Sequence, residues 1–187
     1  LLPEDLRCFT VGTPVPGFES WEAAVDDAHD SPIADPAQGL DMLYSSGTTG
    51  RPKGVKWPLP PIPAGARTML VDLLAPLFGY GRDCRYLSPA PLYHSAPNAA
   101  VSLTLGVGGT VIVMEHFDPE MYLSLIEKYQ VTHSQLVPTM FSRLLKLPAE
   151  VRNRYSRKSL EIAIHAAAPC PVQVKEQMID WWGPIIH

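Results

Sequence analysis

The sequence predicts an α/β domain built on a mainly parallel sheet flanked by helices. Three observations carry that prediction. From residue 82 onward, short strand-like segments alternate with stretches whose apolar residues recur at helical spacing, the pattern of stacked βαβ units. Thr110-Val-Ile-Val-Met114 is an unbroken apolar run rich in β-branched residues, which predicts a strand buried on both faces. Turns rich in glycine, proline and hydroxyl side chains follow the strand candidates, and open α/β sheets hold ligands at the carboxyl ends of such strands.

The bulk composition fits a globular chain. Of 187 residues, 46% are hydrophobic and 18% charged, enough apolar material for a core and too little charge for disorder. A net charge of −4 without any basic run argues against nucleic acid as a partner. No apolar run approaches the roughly 18 residues of a membrane span, and no signal-peptide pattern opens the chain. Cys8, Cys84 and Cys170 are odd in number and far apart, which fits neither a metal site nor a disulfide framework and predicts a reducing, cytoplasmic setting. The chain opens on Leu1-Leu2 without a methionine and stops at Gly183-Pro-Ile-Ile-His187, which reads as a strand just beginning. Both ends have the look of cuts inside a longer protein.

Taken in order, Arg7-Cys-Phe-Thr-Val11 predicts a short strand and residues 12–17 a turn. Ser20 caps a helix over residues 21–29, with Glu22 in its first turn; His29 lies at its end among acids, as a solvated histidine. Residues 31–39 read as a loop and Leu40-Asp-Met-Leu-Tyr44 as a strand. Pro58-Leu-Pro-Pro-Ile-Pro63 predicts a stiff extended connector. Leu70, Leu73, Leu74 and Leu77 define the apolar face of a helix that Gly79 and Gly81 end. Arg85-Tyr-Leu-Ser88 is a strand candidate, and residues 96–107, small and apolar, a helix. Asp118-Pro-Glu120 starts another: a capping carboxylate, a proline at the first position and an acid near the positive end. Tyr122, Leu125, Ile126 and Tyr129 continue its apolar face. Thr132-His-Ser-Gln-Leu-Val137 reads as a strand, and Pro138 opens a helix through Phe141, Leu144 and Leu145. Residues 151–158 are polar and basic, predicting an exposed connection. Leu160, Ile162 and Ile164 alternate as a half-buried strand, and Pro171 opens a last helix with Val174, Met178, Trp181 and Trp182 on one side.

The chemistry concentrates in Tyr44-Ser-Ser-Gly-Thr-Thr-Gly-Arg-Pro-Lys-Gly-Val55. Gly47, Gly50 and Gly54 allow backbone angles that side chains forbid, so consecutive N–H groups can converge on an anion. Ser45, Ser46, Thr48 and Thr49 add hydroxyls and Lys53 a full positive charge, an inventory that suits a polyphosphate. The spacing is not that of a Walker A loop, because Pro52 separates Arg51 from Lys53 and the following residues read as extended. On composition alone a flexible surface loop with one lysine is the alternative. The order of the twelve residues, however, closely resembles the phosphate loop of the acyl-adenylate-forming (AMP-binding) superfamily, which includes acyl-CoA synthetases, peptide-synthetase adenylation domains and firefly luciferase.

That resemblance implies ATP, Mg²⁺ and coenzyme A as cofactors and co-substrates. It implies that Ser45, Ser46, Gly47, Thr48, Thr49, Gly50 and Lys53 hold the phosphates, with Lys53 catalytic and Thr48 at the metal. Pro91-Leu-Tyr-His-Ser95 matches a Pro-Leu/Phe-x-His motif of the superfamily, which makes His94 a catalytic residue beside the α-phosphate and the acyl group. Ala166-Ala-Ala-Pro-Cys-Pro171 matches a Gly-Gly-Ala-Pro segment whose backbone lines the adenine, so Ala166, Ala167, Ala168 and Pro169 are nucleotide contacts with alanine where glycine is common. His165 is either a strand residue facing solvent or a further contact. Val137-Pro-Thr-Met-Phe141 resembles a Val-Pro-Thr helix start that, with residues 95–98, borders the acyl tunnel, which nominates Ser95, Ala96, Asn98, Val137 and Met140. The small residues Ala96, Pro97, Ala99 and Ala100 either suit an apolar or aromatic acid or simply pack. His29, His116 and His133 show no pairing that would form a metal cluster.

The whole therefore resembles the acyl-CoA synthetase or fatty-acid–CoA ligase branch, with a small fatty or aromatic carboxylic acid and CoA as partners. Peptide-synthetase adenylation domain and catalytically inactive nucleotide-binding fragment are the alternatives. The superfamily's Tyr-Gly-x-Thr-Glu motif, ribose-binding aspartate and C-terminal lysine do not map onto this sequence. Residues 1–187 are thus expected to be an incomplete AMP-binding domain, an internal part of the N-terminal domain without the C-terminal one, with Trp181 and Trp182 exposed and favouring self-association.

Overall fold

In a computed structural model, the described residues are 6–45, 50, 52–59 and 61–187. They form two compact units, one of residues 6–40, 57–59 and 61–65, the other of the remainder.

In the smaller unit, β1 (Phe9–Thr10) pairs in parallel with β2 (Glu19–Ser20), and α1 (Trp21–Asp26) follows. Ser20 caps α1 as predicted, its Oγ accepting from Ala23 N at 3.2 Å. The helix stops at Asp26 rather than residue 29. Asp26 and Asp27 crowd its negative end and no basic residue offsets them there. The proline-rich connector is tied down by a bridge between Ala37 and Pro63, and Gln38 N donates to Ile62 O.

The larger unit opens with an antiparallel hairpin of β3 (Leu43–Ser45) and β4 (Lys53–Val55). There follow α2 (Met69–Leu77), β5 (Arg85–Ser88), α3 (Ser95–Gly106), β6 (Thr110–Val113), α4 (Pro119–Tyr129), β7 (His133–Leu136), α5 (Pro138–Leu145), α6 (Ala149–Arg152), β8 (Ile162–His165) and α7 (Val172–Trp182). Strands β5 to β8 form one parallel sheet in the order β6-β5-β7-β8. Ile186 adds a parallel bridge to Ala163, so the last residues do begin a further strand pairing.

Alternation along each strand sends side chains to two cores. Leu87, Leu136 and Ala163 meet Tyr122, Leu123, Ile126, Phe141, Leu144, Met178 and Trp182 from α4, α5 and α7. Tyr86 points the other way, toward Val71, Ala75 and Leu103 of α2 and α3, with Tyr80 and Cys84. Helices thus cover both faces, the doubly wound arrangement that the alternation of elements predicted.

Four expectations are corrected. β6 is an edge strand, with Thr110 and Val113 exposed, so it is not buried on both faces; the buried strand is its neighbour β5. Helix α2 turns Val71 and Ala75 inward and leaves Leu73 and Leu77 exposed. Both of its sides are apolar, and the smaller residues fit the close approach to Gly106 of α3. The connection 151–158 contains part of α6, and Tyr155 and Arg154 both donate to Glu120 Oε1, at 2.9 and 2.7 Å. Trp182 is buried, stacked against Tyr122 and edge-on to Phe141. The guanidinium groups of Arg152 and Arg157 lie 5.4 and 5.0 Å from the Trp181 ring, so the exposed tryptophan face is absent.

Candidate active site

The sheet order places a topological switch between β5 and β7. From β5 the chain crosses to β6 on one side, then returns to β7 on the other, so the loops leaving β5 and β7 diverge at the carboxyl edge. His94, Val137 and His165 all lie at that edge, after β5, β7 and at the end of β8.

His94 is the N-cap of α3. Its carbonyl accepts from Asn98 N at 3.2 Å, whereas its imidazole makes no capping bond and is exposed. The Tyr93 ring stands 4.5 Å away at 46°, covering one side of the imidazole. The first turn of α3, with Ser95, Ala96 and Asn98, carries no acidic residue, so its positive end is left for an anion.

His165 pairs with Leu136 across the sheet, and its ring packs edge-on to Phe141 at 5.9 Å. It therefore does not face solvent. Both ring nitrogens are buried without a partner among the described residues, and burial, with Lys175 adding repulsion, holds its pKa below the ordinary imidazole value. Ala166 N then donates to Leu136 O at 3.2 Å, fixing the turn to the end of β7. Ala167 adopts φ = 73°, a left-handed conformation that alanine enters at a cost, and Ala168 and Pro169 follow exposed. Val137 is the N-cap of α5 and half-buried, while Met140 faces the core formed by α4, α5 and α7.

In the hairpin, Ser45 is register partner to Lys53, Tyr44 to Gly54 and Leu43 to Val55. The pairing closes the intervening loop at its base and sets an exposed lysine there. Gly50 takes φ = 101°, a backbone conformation that glycine adopts without strain and other residues do not. Gly54 does not need an unusual backbone angle. A Cβ there would fall 2.9 Å from Met42 Cε and 3.0 Å from Tyr44 Cε1, so its role is close packing. Ser46, Gly47, Thr48 and Thr49 lie outside the described residues, as does the side chain of Ser45.

Ala96, Ala99 and Ala100, nominated from sequence beside the acyl tunnel, line a cavity of 190 Å³ between α2, α3 and the sheet, whose other walls sequence reasoning missed. Gln135 and Ile164 line it from the sheet, Leu74, Phe78 and Tyr80 from in and after α2, and Ala96, Ala99, Ala100 and Leu103 from α3. The available signal was the alternation of His133 and Gln135 on β7, two polar side chains on the α2–α3 face. A larger groove of 320 Å³, lined by Leu145, Arg152 and Asp180 among others, lies between α5, α6 and α7. These helices run back from the carboxyl edge, which sets that groove at the opposite end of the sheet. Burial pushes the Cys84 thiol up to about 11, which removes it as a nucleophile. Among the described residues there is no group of three metal-ligating side chains, and no helix is long and apolar enough to cross a membrane.

Residues 6–187 match the family model described as AMP-binding enzyme. Feruloyl-CoA synthase of Amycolatopsis sp is 34% identical over 164 residues, covering 85% of this chain and 31% of that protein. The medium/long-chain-fatty-acid–CoA ligase FadD8 of Mycobacterium tuberculosis is 34% identical over 151 residues, covering 80% and 25%. Among solved structures, O-succinylbenzoate coenzyme A synthetase (MenE) of Bacillus subtilis in complex with AMP superposes with a TM-score of 0.64 at 26% identity, covering 78% of this chain and 28% of the other. The same synthetase has been captured with ATP and a magnesium ion. This chain thus spans roughly a quarter to a third of the length of these relatives. With the sequence match, the parallel sheet and the loop motifs in agreement, the chain belongs to the AMP-binding enzyme family.

Proposed function

We propose that this chain carries the phosphate-binding end and one wall of the acid pocket of an acyl-CoA synthetase. The observation that supports this most is the family match over residues 6–187, joined to a hairpin that sets Lys53 opposite Ser45 at the base of the loop. In the proposed reaction a carboxylate oxygen attacks the α-phosphorus of ATP and pyrophosphate leaves. The thiol of coenzyme A then attacks the acyl carbon and releases AMP. Lys53 and the loop from Ser45 to Gly50 hold the β- and γ-phosphates, which lowers the charge that opposes departure of pyrophosphate. The hydroxyl of Thr48, a hard oxygen donor suited to Mg²⁺, holds the ion together with the phosphates. Mg²⁺ supplies charge neutralisation on the leaving phosphates.

His94, free of the helix cap, donates toward charge developing at the α-phosphate and the carboxylate. The backbone of Ala166, Ala167, Ala168 and Pro169, with His165 behind it, borders the nucleotide base. Ser95, Ala96, Asn98 and Val137 shape the acid side, whereas Met140 is committed to the core that α5 forms with α4 and α7. CoA ligases for an aromatic acid and for fatty acids stand among the relatives, which supports a fatty or aromatic acid here. Free Cys8, Cys84 and Cys170 suit a reducing, cytoplasmic setting.

The test is acid-dependent release of pyrophosphate from ATP, by this chain and by a form extended over the further length its relatives have, with acyl-CoA as the product followed by mass. Acyl-CoA formation supports the reading. Pyrophosphate release that CoA does not consume, but an amino-acid carrier protein does, assigns the adenylation role of a peptide synthetase instead. ATP binding without release in either form leaves a nucleotide-binding scaffold, and release by the extended form alone makes this chain a part of the ligase that does not turn over by itself.

A further inference from the structure

A pocket of 230 Å³ opens at the amino edge of β8, lined by Arg157, Lys158, Leu160, Trp182 and Ile185. Strand β8 runs toward the nucleotide edge and α7 runs back from it, so Leu160, before the strand, and Trp182, at the helix end, mark the opposite edge. Leu160 N donates to Arg157 O at 3.0 Å, which closes the turn and sets both basic residues beside the pocket.

The unmatched side-chain groups on this wall are donors. Trp182 is 9% exposed, and its Nε1 is buried without a partner among the described residues. Arg157 donates through Nη2 to Trp181 O at 3.0 Å, but its Nε is buried and unmatched. Lys158 is exposed, and among the described residues neither it nor Arg157 pairs with a carboxylate. Ser159 Oγ, in the same turn, is a further buried group without a partner there. Indole, guanidinium and ammonium groups cannot accept, so only an acceptor in the pocket matches them, and a buried donor left unmatched is costly. No carboxylate lines the pocket.

The surrounding charge selects an anion. Between residues 143 and 158 the chain has six basic residues and one acidic one, Glu150, although its net charge is −4. Arg154 is taken up by Glu120, and the rest of that segment leaves a positive field around the pocket. A phosphate monoester brings about −1.5 to −2 charges and three terminal oxygens, which suits three separate donors better than the two oxygens and single charge of a carboxylate. A cavity of about 150 Å³ holds a benzene ring. At 230 Å³ this pocket holds a phosphate with a ring-sized apolar body beside it.

We infer that this pocket binds a phosphate monoester carried on an apolar body. Arg157, Lys158 and Trp182 Nε1 donate to the phosphate oxygens, and Leu160 and Ile185 lie against the body. Two sources share that chemistry: the headgroup of phosphatidic acid at a membrane surface, and a free aryl or alkyl phosphate. The site lies apart from the phosphate loop and does not depend on the ligase reading, so it takes its ligand with or without ATP.

The experiment titrates phenyl phosphate into the isotope-labelled 187-residue chain, with and without saturating ATP and Mg²⁺, and follows the indole N–H resonance of Trp182 and the amides of residues 157–160. These should shift and saturate in both conditions, while benzyl alcohol leaves them in place. Inorganic phosphate should bind at least about tenfold more weakly, because it lacks the ring that the apolar wall buries. Lys158→Gln should weaken phenyl phosphate by about twofold to fivefold, as for an exposed charge, and Arg157→Gln by about tenfold or more. Should Arg157→Gln not fold, Lys158→Glu carries the test, with a loss larger than that of Lys158→Gln. A Trp182 resonance that stays in place, an equal response to benzyl alcohol, or an affinity unchanged in the folded variants overturns the proposal. So do shifts confined to residues 45–54, which assign the phosphate to the nucleotide loop. ATP binding without the Trp182 response leaves the ligase reading standing, and the Trp182 response without ATP binding leaves the pocket standing. Sedimentation with phosphatidylcholine vesicles that contain phosphatidic acid, absent with phosphatidylcholine alone and lost in Lys158→Glu, makes the source a lipid headgroup. Phenyl phosphate binding without such sedimentation makes it a free ester.

Discussion

Ala167 offers the most direct test of the turn that follows β8. Its φ of 73° brings Cβ against its own backbone, which costs an L-residue about 1–2 kcal/mol. Glycine removes that strain but gives the unfolded chain more freedom, a loss of about 0.4–1 kcal/mol. Ala167→Gly should therefore stabilise the protein by about 0.5–1 kcal/mol, and raise its melting temperature by about 1–4 °C for a chain of this size. The controls are next door. Ala166 and Ala168 do not have a positive φ, so Ala166→Gly and Ala168→Gly gain no relief and should each destabilise by about 0.4–1 kcal/mol. Urea unfolding of the three variants beside wild type decides the matter. An Ala167→Gly variant no more stable than its two neighbours would refute the strain argument, and with it the view that the turn holds a glycine-type conformation for ligand approach.

Other outcomes follow from the same geometry. Lys53→Ala should weaken ATP affinity by about 1.5–3 kcal/mol, roughly 10- to 150-fold, from loss of one charged hydrogen bond; calorimetry with ATP checks it, and unchanged affinity would remove Lys53 from the site. Gly109→Ala should destabilise by about 1–3 kcal/mol, since its Cβ would lie 2.8 Å from Cys84 O and 2.9 Å from Thr104 Cγ2; a urea midpoint equal to wild type would contradict that packing. Burial holds the pKa of both His133 and His165 below the imidazole value of 6.5. The unfolded chain then binds more protons near and below that pH, so the stability these neutral rings contribute is whole above it and lost as pH falls through their folded values. Urea midpoints measured from pH 8 to about 5.5 should decline on the acid side, and midpoints that hold level or rise would show the rings are not buried neutral.

Features that depend on neighbours in sequence were legible before any fold was known. Asp118 caps α4 as the Asp-Pro-Glu order predicts, its Oδ1 accepting from Met121 N at 2.8 Å. The end of the strand that enters the motif and the extended residues after it appear as β3 and β4, the two strands of the hairpin. Strand order was not legible, because β6 reads as a buried strand by composition and only its distant pairing makes it an edge. The inward face of α2 was misjudged for a related reason: residues 69–77 are apolar on every side except Asp72, so periodicity alone cannot choose between leucines and the Val71–Ala75 pair. Trp181 depends on Arg152 and Arg157, whose approach follows from the return of the chain after β7. The cavity gathers Phe78, Ala99 and Gln135 from segments far apart, so no local pattern could outline it.

The central claim is that the loop of residues 44–55, the start of α3 and the turn after β8 form one nucleotide site. Adding ATP and Mg²⁺ to the labelled chain and following its backbone amide resonances tests that claim most directly. The account predicts shifts gathered at residues 45–54, 94–98 and 165–169. Shifts confined to the groove between α5, α6 and α7, or absent from all three segments at saturating ATP, would contradict it.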